Sequence, residues 1–245
     1  MKSKEEAKII LEEFLNFPLT STNEVFEKFA TLPNTKFYKG NKQKQFMIVE
    51  GTREDKAVLV AHADTVWHEK DVNSVIRYAN GVYSSGNEAC GIGADDRAGL
   101  AILWLLAELG HTLLITDGEE KGLWGSRHLK EEHKKQYNWL NDNHTFFMQF
   151  DRQNANEVKY YNIPVTEEFK NYIQENTQYI EPDNLRRTDI CFLCGKICGC
   201  NLSVGYKNEH KANEELNFEQ WYNTYKIVYA MLEKKLDKYY LKEVE

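Results

Sequence analysis

Long apolar runs are missing from this chain. The longest, LAILWLLAELG, falls short of the roughly 18 apolar residues of a membrane span and reads as a buried helix. No membrane partner is expected. The N-terminal stretch MKSKEEAKIILEEFLNF interrupts its apolar residues with charges, so it lacks the continuous apolar centre of a secretory signal. A cytoplasmic protein is expected. Excess basic charge is also missing: 31 Lys and Arg face 38 Asp and Glu, a net charge of -7. That argues against a nucleic-acid partner, which would call for a basic surface, and suits a solvated, soluble one. Linker composition is absent too. With no repeat and no Pro-, Ser- or Gly-rich stretch in 245 residues, the chain reads as one domain over 1–245. Hydrophobic residues make up 42%, enough for a substantial core.

Cysteine occurs five times, as Cys90, Cys191, Cys194, Cys198 and Cys200. The last four share the segment CFLCGKICGC, which holds a single CxxC. A four-Cys cage usually shows two separated knuckles. A zinc or iron–sulfur cage and a disulfide stay open beside the favoured reading, reduced cysteines packed in a helix–turn–strand unit.

Residues 4–17 carry a one-sided apolar stripe, Ala7, Ile10, Leu11, Phe14 and Leu15, which predicts a helix that Pro18 stops. Ser21 and Glu24 fit a capping box for a second helix ending near Ala30. QFMIVEG, KAVLVAHADT, HTLLIT, HTFFMQFD, EVKYYN and CGCNLSVGY read as strands, and the continuous apolar ones suit strands buried on both faces. Residues 71–90 read as an irregular excursion with a hairpin turning at Asn80-Gly81. Asp96 is placed to cap a helix from Arg97 to Leu109, which Gly110 ends. Further helices are expected from Gly122 to about Glu132, over 166–176, briefly in TDICFLCGK, and through NFEQWYNTYKIVYAMLEKKLDKYY. Alternating strands and helices predict an α/β domain with a mixed or mostly parallel sheet.

Five residues of metal-ligand type follow apolar runs: His62, Asp95, Glu120, Asp151 and His210. In an open α/β sheet the active-site crevice lies at the carboxyl ends of the strands. Two His and three carboxylates match the needs of two hydrolytic zinc ions if one carboxylate bridges them. Each element alone has a plainer reading. His62 and Asp64, two apart, form either a surface pair or a ligand with its orienting acid. In GADDRAG, Asp96 serves as a helix cap and Asp95 is free to bind metal. In DGEEKG the two Glu residues form a solvated turn, or Glu120 binds metal while Glu119 moves a proton. Asp151 is a turn residue or a ligand. His210 is one of seven His. Their order is more specific, with gaps of 33, 25, 31 and 59 residues.

In that order HADT, GADDRAG, GEEKGLWGS and SVGYKNEH resemble the motif series of the co-catalytic zinc exopeptidases. This superfamily includes bacterial leucyl aminopeptidases, peptidase T and carboxypeptidase G-type enzymes. The resemblance covers roughly residues 55–215. It implies a single-domain three-layer α/β sandwich with a mixed, mostly parallel central sheet. It implies His62, Asp95 and Asp151 as ligands of one ion and Asp95, Glu120 and His210 as ligands of the other. Asp95 would bridge, and the Asp95-Asp96 peptide would be cis. Glu119 would be the general base and Asp64 the acid that orients a ligand. Zinc is the expected metal, with cobalt or manganese also compatible with such ligands.

Many carboxypeptidase-like relatives insert a lid or dimerisation domain between the fourth and fifth ligands. The 59-residue gap here implies the bare catalytic domain, with substrate gripped by loops or by a neighbouring copy in a homo-oligomer. NLRRTDI lies in that gap. Arg186 or Arg187 suits a substrate carboxylate and Asp189 an amino terminus, the alternative being a solvated charged loop. Tyr206 is either an oxyanion donor or a packed aromatic.

The leading expectation is an aminopeptidase on short peptides, in which a metal-bridging hydroxide attacks and Glu119 shuttles the proton. A carboxypeptidase or N-acyl amino acid amidohydrolase would keep the metals and change the substrate to a blocked or acylated one. A metal-stabilised binding module without catalysis is the third reading.

Overall fold

The apolar runs of VLVAH, TLLIT and FFMQFDR lie side by side at the centre of one sheet. The structure is a computed structural model describing residues 1–41, 43–67, 74–183 and 187–243. In chain order its helices are α1 (Lys4–Leu15), α2 (Asn23–Ala30), α3 (Ala94–Leu106), α4 (Trp124–Glu132), α5 (Lys134–Asp142), α6 (Glu167–Thr177), α7 (Ile190–Leu193) and α8 (Phe218–Leu232). The strands are β1 (Thr35–Tyr38), β2 (Phe46–Val49), β3 (Val58–His62), β4 (Val75–Arg77), β5 (Val82–Ser85), β6 (Thr112–Thr116), β7 (Phe147–Arg152), β8 (Val158–Lys159), β9 (Gly199–Ser203), β10 (Tyr206–Lys207) and β11 (Glu215–Asn217).

Among the described residues the main sheet has the order β1-β2-β6-β3-β7-β9-β8. The four central strands β6, β3, β7 and β9 run parallel, and the outer pairings are antiparallel. Alternate residues of β3 face opposite cores. Leu59 and Ala61 join the large core with α1, α3, α6 and α8, while Val58 and Val60 join a smaller one with Leu129 of α4, Leu140 of α5 and Leu193 of α7. The fold is therefore a three-layer α/β arrangement, with helices on both faces of a mixed sheet that is parallel at its centre. A second sheet, β10-β11-β5-β4, is antiparallel. It joins the expected hairpin at Asn80-Gly81 to the chain that follows Tyr206. Among the described residues no helix is long and apolar enough to cross a membrane.

Two expectations need correction, and one helix went unpredicted. The last helix ends at Leu232 rather than running to Tyr240. Arg53 takes the carbonyls of Leu232 and Lys234, both at 2.6 Å, and Tyr239 N–H then bonds Thr145 O at 3.0 Å. These partners draw the tail into an extended course. At α2 Ser21 does not cap as expected. Thr22 is the N-cap, and Ser21 Oγ donates to Glu24 at 2.7 Å and accepts Asn23 N–H at 3.2 Å. Helix α5 had no clear apolar stripe, because it buries only Leu140 and Asn141. Asn141 is satisfied there by Tyr137 O and Leu193 O.

Candidate active site

Each side chain of the site is placed by the end of a central element. His62 is the last residue of β3, and Asp151 stands near the end of β7. Glu119 and Glu120 sit on the loop after β6. Asp95 opens α3, and His210 follows β10. Asp96 anchors that opening turn. Its Oδ1 accepts Gly99 N–H at 3.0 Å, the cap that the sequence led us to expect, and its Oδ2 accepts His62 N–H at 3.1 Å. The Asp95-Asp96 peptide is cis.

The structure brings all five ligand-type residues together. Asp95 Oδ1 lies 3.0 Å from His62 Nε2, and Asp95 Oδ2 lies 3.1 Å from His210 Nε2. Asp151 Oδ1 is 3.5 Å from His62 Nε2, and Glu120 Oε1 is 2.8 Å from His210 Nε2. The ligand atoms of His62, Asp95 and Asp151 converge within 4.8 Å, as do those of Asp95, Glu120 and His210. Asp95 belongs to both groups. Glu119 forms a third grouping with His62 and Glu120.

The electrostatics follow from crowding carboxylates in a buried place. Burial and the charge of Asp151 push Glu119 well above the usual carboxylate range. Burial and the charge of Asp95 likewise raise Asp151. Burial also acts against Asp95, but hydrogen bonds from His210 and His62 hold it below the usual range. Asp95 and Glu120 in turn push His210 up to about 10. Glu120 Oε1 is buried and has no well-aligned hydrogen bond, although His210 is close. Imidazole nitrogens and surplus carboxylate oxygens converging in this way fit divalent cations, which would offset the negative charge.

Asp64 does more than expected. Its backbone carbonyl is the nearer partner of His62 Nδ1, at 3.0 Å, with the carboxylate at 3.4 Å. The carboxylate accepts Glu119 N–H at 3.0 Å and Glu120 N–H at 3.2 Å. Two further candidates, Asp189 and Tyr206, are buried. Asp189 is 0% exposed. It accepts a hydrogen bond from Thr116 Oγ1, so it does not reach a substrate amino terminus. Tyr206 is buried on the cavity wall, and its hydroxyl donates to Asp151 Oδ1 at 3.3 Å. Arg187 lines the cavity. Arg186 lies outside the described residues.

The cavity above these groups is about 540 Å³. Sequence reasoning missed Tyr161 and Arg127 on its wall. It also missed Glu214, whose carboxylate accepts Gly93 N–H at 2.7 Å and Asp95 N–H at 3.0 Å. Gln149 and Thr188 were missed as well; both donate to Asp151 Oδ2, at 2.9 and 2.7 Å.

The profile of Peptidase family M28 matches residues 46–186, more than half of the chain. No curated protein matches by sequence. Among solved structures the fold is similar to aminopeptidase PepT from Bacillus cereus, with a TM-score of 0.70 and 14% identity, covering 94% of this chain and 98% of that one. It is also similar to a tripeptidase from Staphylococcus aureus, with a TM-score of 0.69, 16% identity and coverage of 95% and 98%. The Pyrococcus horikoshii TET1 peptidase, described as assembling into a tetrahedron or a large octahedral shell, gives a TM-score of 0.63 at 13% identity, with coverage of 94% and 99%.

Proposed function

The chain belongs to Peptidase family M28 and is a metal-dependent exopeptidase, and from that premise we propose an aminopeptidase that removes residues from short peptides. The observation that carries the proposal is Asp95, whose two oxygens face His62 and His210 at 3.0 and 3.1 Å. One carboxylate between two ligand groups is the arrangement a two-ion site requires. In this reading His62, Asp95 and Asp151 hold one ion, and Asp95, Glu120 and His210 hold the other. Zinc suits these ligands, with cobalt or manganese as substitutes. When bound, the ions supply Lewis acidity to the scissile carbonyl and acidify water.

The remaining work falls to side chains. Glu119 accepts the proton of the attacking water at its carboxylate and passes it to the leaving nitrogen. Its burial favours the protonated form between those two events. Asp64 fixes the Glu119 and Glu120 backbone. The acidic wall that includes Glu119, Glu120 and Glu209 suits the ammonium of a free amino terminus. Arg127 and Arg187 line the same cavity and suit the carboxylate at the other end of a short peptide.

Those arginines also favour a second reading, a carboxypeptidase or N-acyl amino acid amidohydrolase that grips a carboxylate beside the scissile bond. A cytoplasmic setting is part of the proposal, and in it the five cysteines would stay reduced. A homo-oligomer is proposed on the likeness to the shell-forming TET1 peptidase.

The test is elemental analysis of the purified protein together with hydrolysis of free and N-blocked peptides. Two ions per chain and cleavage confined to free-amino peptides support the aminopeptidase. Cleavage of blocked substrates supports the second reading. Metal without hydrolysis points to a binding module. In Glu119→Gln, metal content should persist while turnover falls by about 10² to 10⁴.

A further inference from the structure

Two tyrosines stand on the cavity wall, and their hydroxyl protons are used differently. The Tyr206 proton goes to Asp151 Oδ1. The Tyr161 oxygen instead accepts from Asn201 Nδ2 at 2.9 Å. A phenol that accepts one hydrogen bond still has its own proton to give. Among the described residues no acceptor takes it. Accepting a bond at oxygen also polarises the O–H and makes it a better donor.

Asn201 sets where that proton is offered. It is 0% exposed. Its Oδ1 accepts Asp151 N–H at 2.9 Å, and its Nδ2 donates to Asp151 O at 2.7 Å as well as to Tyr161. All the hydrogen-bonding capacity of the amide nitrogen is thereby spent. The Tyr161 hydroxyl is held at a fixed offset from the backbone of a candidate metal ligand. The backbone of Tyr161 lies in the left-handed region, with φ 55°. Bulky residues rarely adopt it, and where they do the surroundings over-determine the conformation. Burial and the charge of Asp151 keep the phenol protonated far above neutral pH.

We propose that Tyr161 is a catalytic residue whose hydroxyl donates a hydrogen bond to the substrate carbonyl oxygen and stays on that oxygen as it gains negative charge. The inference rests on the peptidase reading above. No bond to Tyr161 forms or breaks, and the phenol keeps its proton throughout. A hydrogen bond that strengthens as charge develops lowers the barrier more than it tightens substrate binding.

Tyr161→Phe keeps the ring and removes the donor. On free-amino tripeptides kcat should fall by about tenfold or more, with KM changed by less than about twofold. Affinity for a phosphinic pseudopeptide, whose tetrahedral phosphinate mimics the oxyanion, should weaken by a similar factor. Metal content and affinity for the product amino acid should not move, while the melting temperature should fall by a few degrees because Asn201 Nδ2–H loses its acceptor. Tyr206→Phe is the contrast, and should lower metal affinity through Asp151. Unchanged kcat and phosphinate affinity in Tyr161→Phe overturn the assignment. A matching loss of product affinity or metal overturns it too, by showing a structural role. If the metal-loaded wild type cleaves no peptide, the peptidase reading fails first and this assignment falls with it. That outcome is visible without any variant.

Discussion

Asp64 holds Glu119 by its backbone: Asp64 Oδ1 accepts Glu119 N–H at 3.0 Å. Its other oxygen does the same for Glu120 at 3.2 Å. One buried carboxylate therefore fixes the loop that carries both the proposed base and a proposed ligand. Asp64→Asn can keep only one of these acceptors and turns an N–H towards the other backbone N–H. We expect metal affinity or kcat/KM to fall by about 10- to 100-fold, and further in Asp64→Ala. Metal titration and steady-state kinetics of both variants check this. Rates like those of the wild type would show that the loop holds itself.

The arginines give a prediction about substrate length. Arg127 stacks over the Phe192 ring at 4.7 Å, and among the described residues neither Arg127 nor Arg187 meets a carboxylate. In Arg127→Ala and Arg187→Ala, KM for free-acid tripeptides should rise by about tenfold, with kcat nearly unchanged. C-terminally amidated peptides should lose little. If acid and amide are hydrolysed equally by the wild type, the arginines do not read the carboxyl end.

What the sequence made legible and what it hid differ in kind. His62, Asp151 and Glu120 could be located because each follows an apolar run that could only be a buried strand. Asp95 was legible beside Asp96 because one of the pair had to cap α3. The buried polar groups around them left no such trace. Glu214 looks like any solvated Glu in NEEL, yet it is 1% exposed and its partners lie more than a hundred positions away. Asp189 likewise reads as a surface acid and is fully buried. Asn201 and Tyr161 gain meaning only when β9 pairs with β7. The end of α8 was missed for the same reason, because Arg53, far upstream, takes its last carbonyls. Local periodicity carries strands and caps; polar burial depends on distant partners.

Stability should depend on pH through His111. This side chain is 2% exposed. Its Nδ1 accepts Ala57 N–H at 3.1 Å, and its Nε2 bonds Leu232 O at 3.0 Å. Burial lowers its pKa to about 4, against about 6.5 in an unfolded chain. As pH falls below about 6.5 the unfolded state takes up the proton first, so stability is full above that pH and declines towards pH 4. The size of the loss is on the order of 3 kcal/mol. Denaturant titrations of the metal-free protein across this window should show the slope. In His111→Gln the slope should be shallower, with lower stability at neutral pH. An unchanged slope would assign the titration elsewhere.

The close approach of α3 to β7 rests on Gly99. A methyl group there would fall on the Phe150 carbonyl oxygen and on the Asp96 carboxylate. The first is backbone of the central sheet and cannot yield. The second is the cap that holds α3 and the His62 N–H. Gly99→Ala gains helix propensity of about 1 kcal/mol, but overpacking costs about 1–3 kcal/mol, and here it also displaces a cap worth about 1 kcal/mol. The balance is a net loss. The variant should therefore melt lower than the wild type. Because Asp96 and Asp95 are adjacent, it should also bind metal more weakly, which a substitution acting only on the core would not do. Calorimetry with and without zinc measures both. A variant that is as stable as the wild type would mean that β7 can shift away from α3.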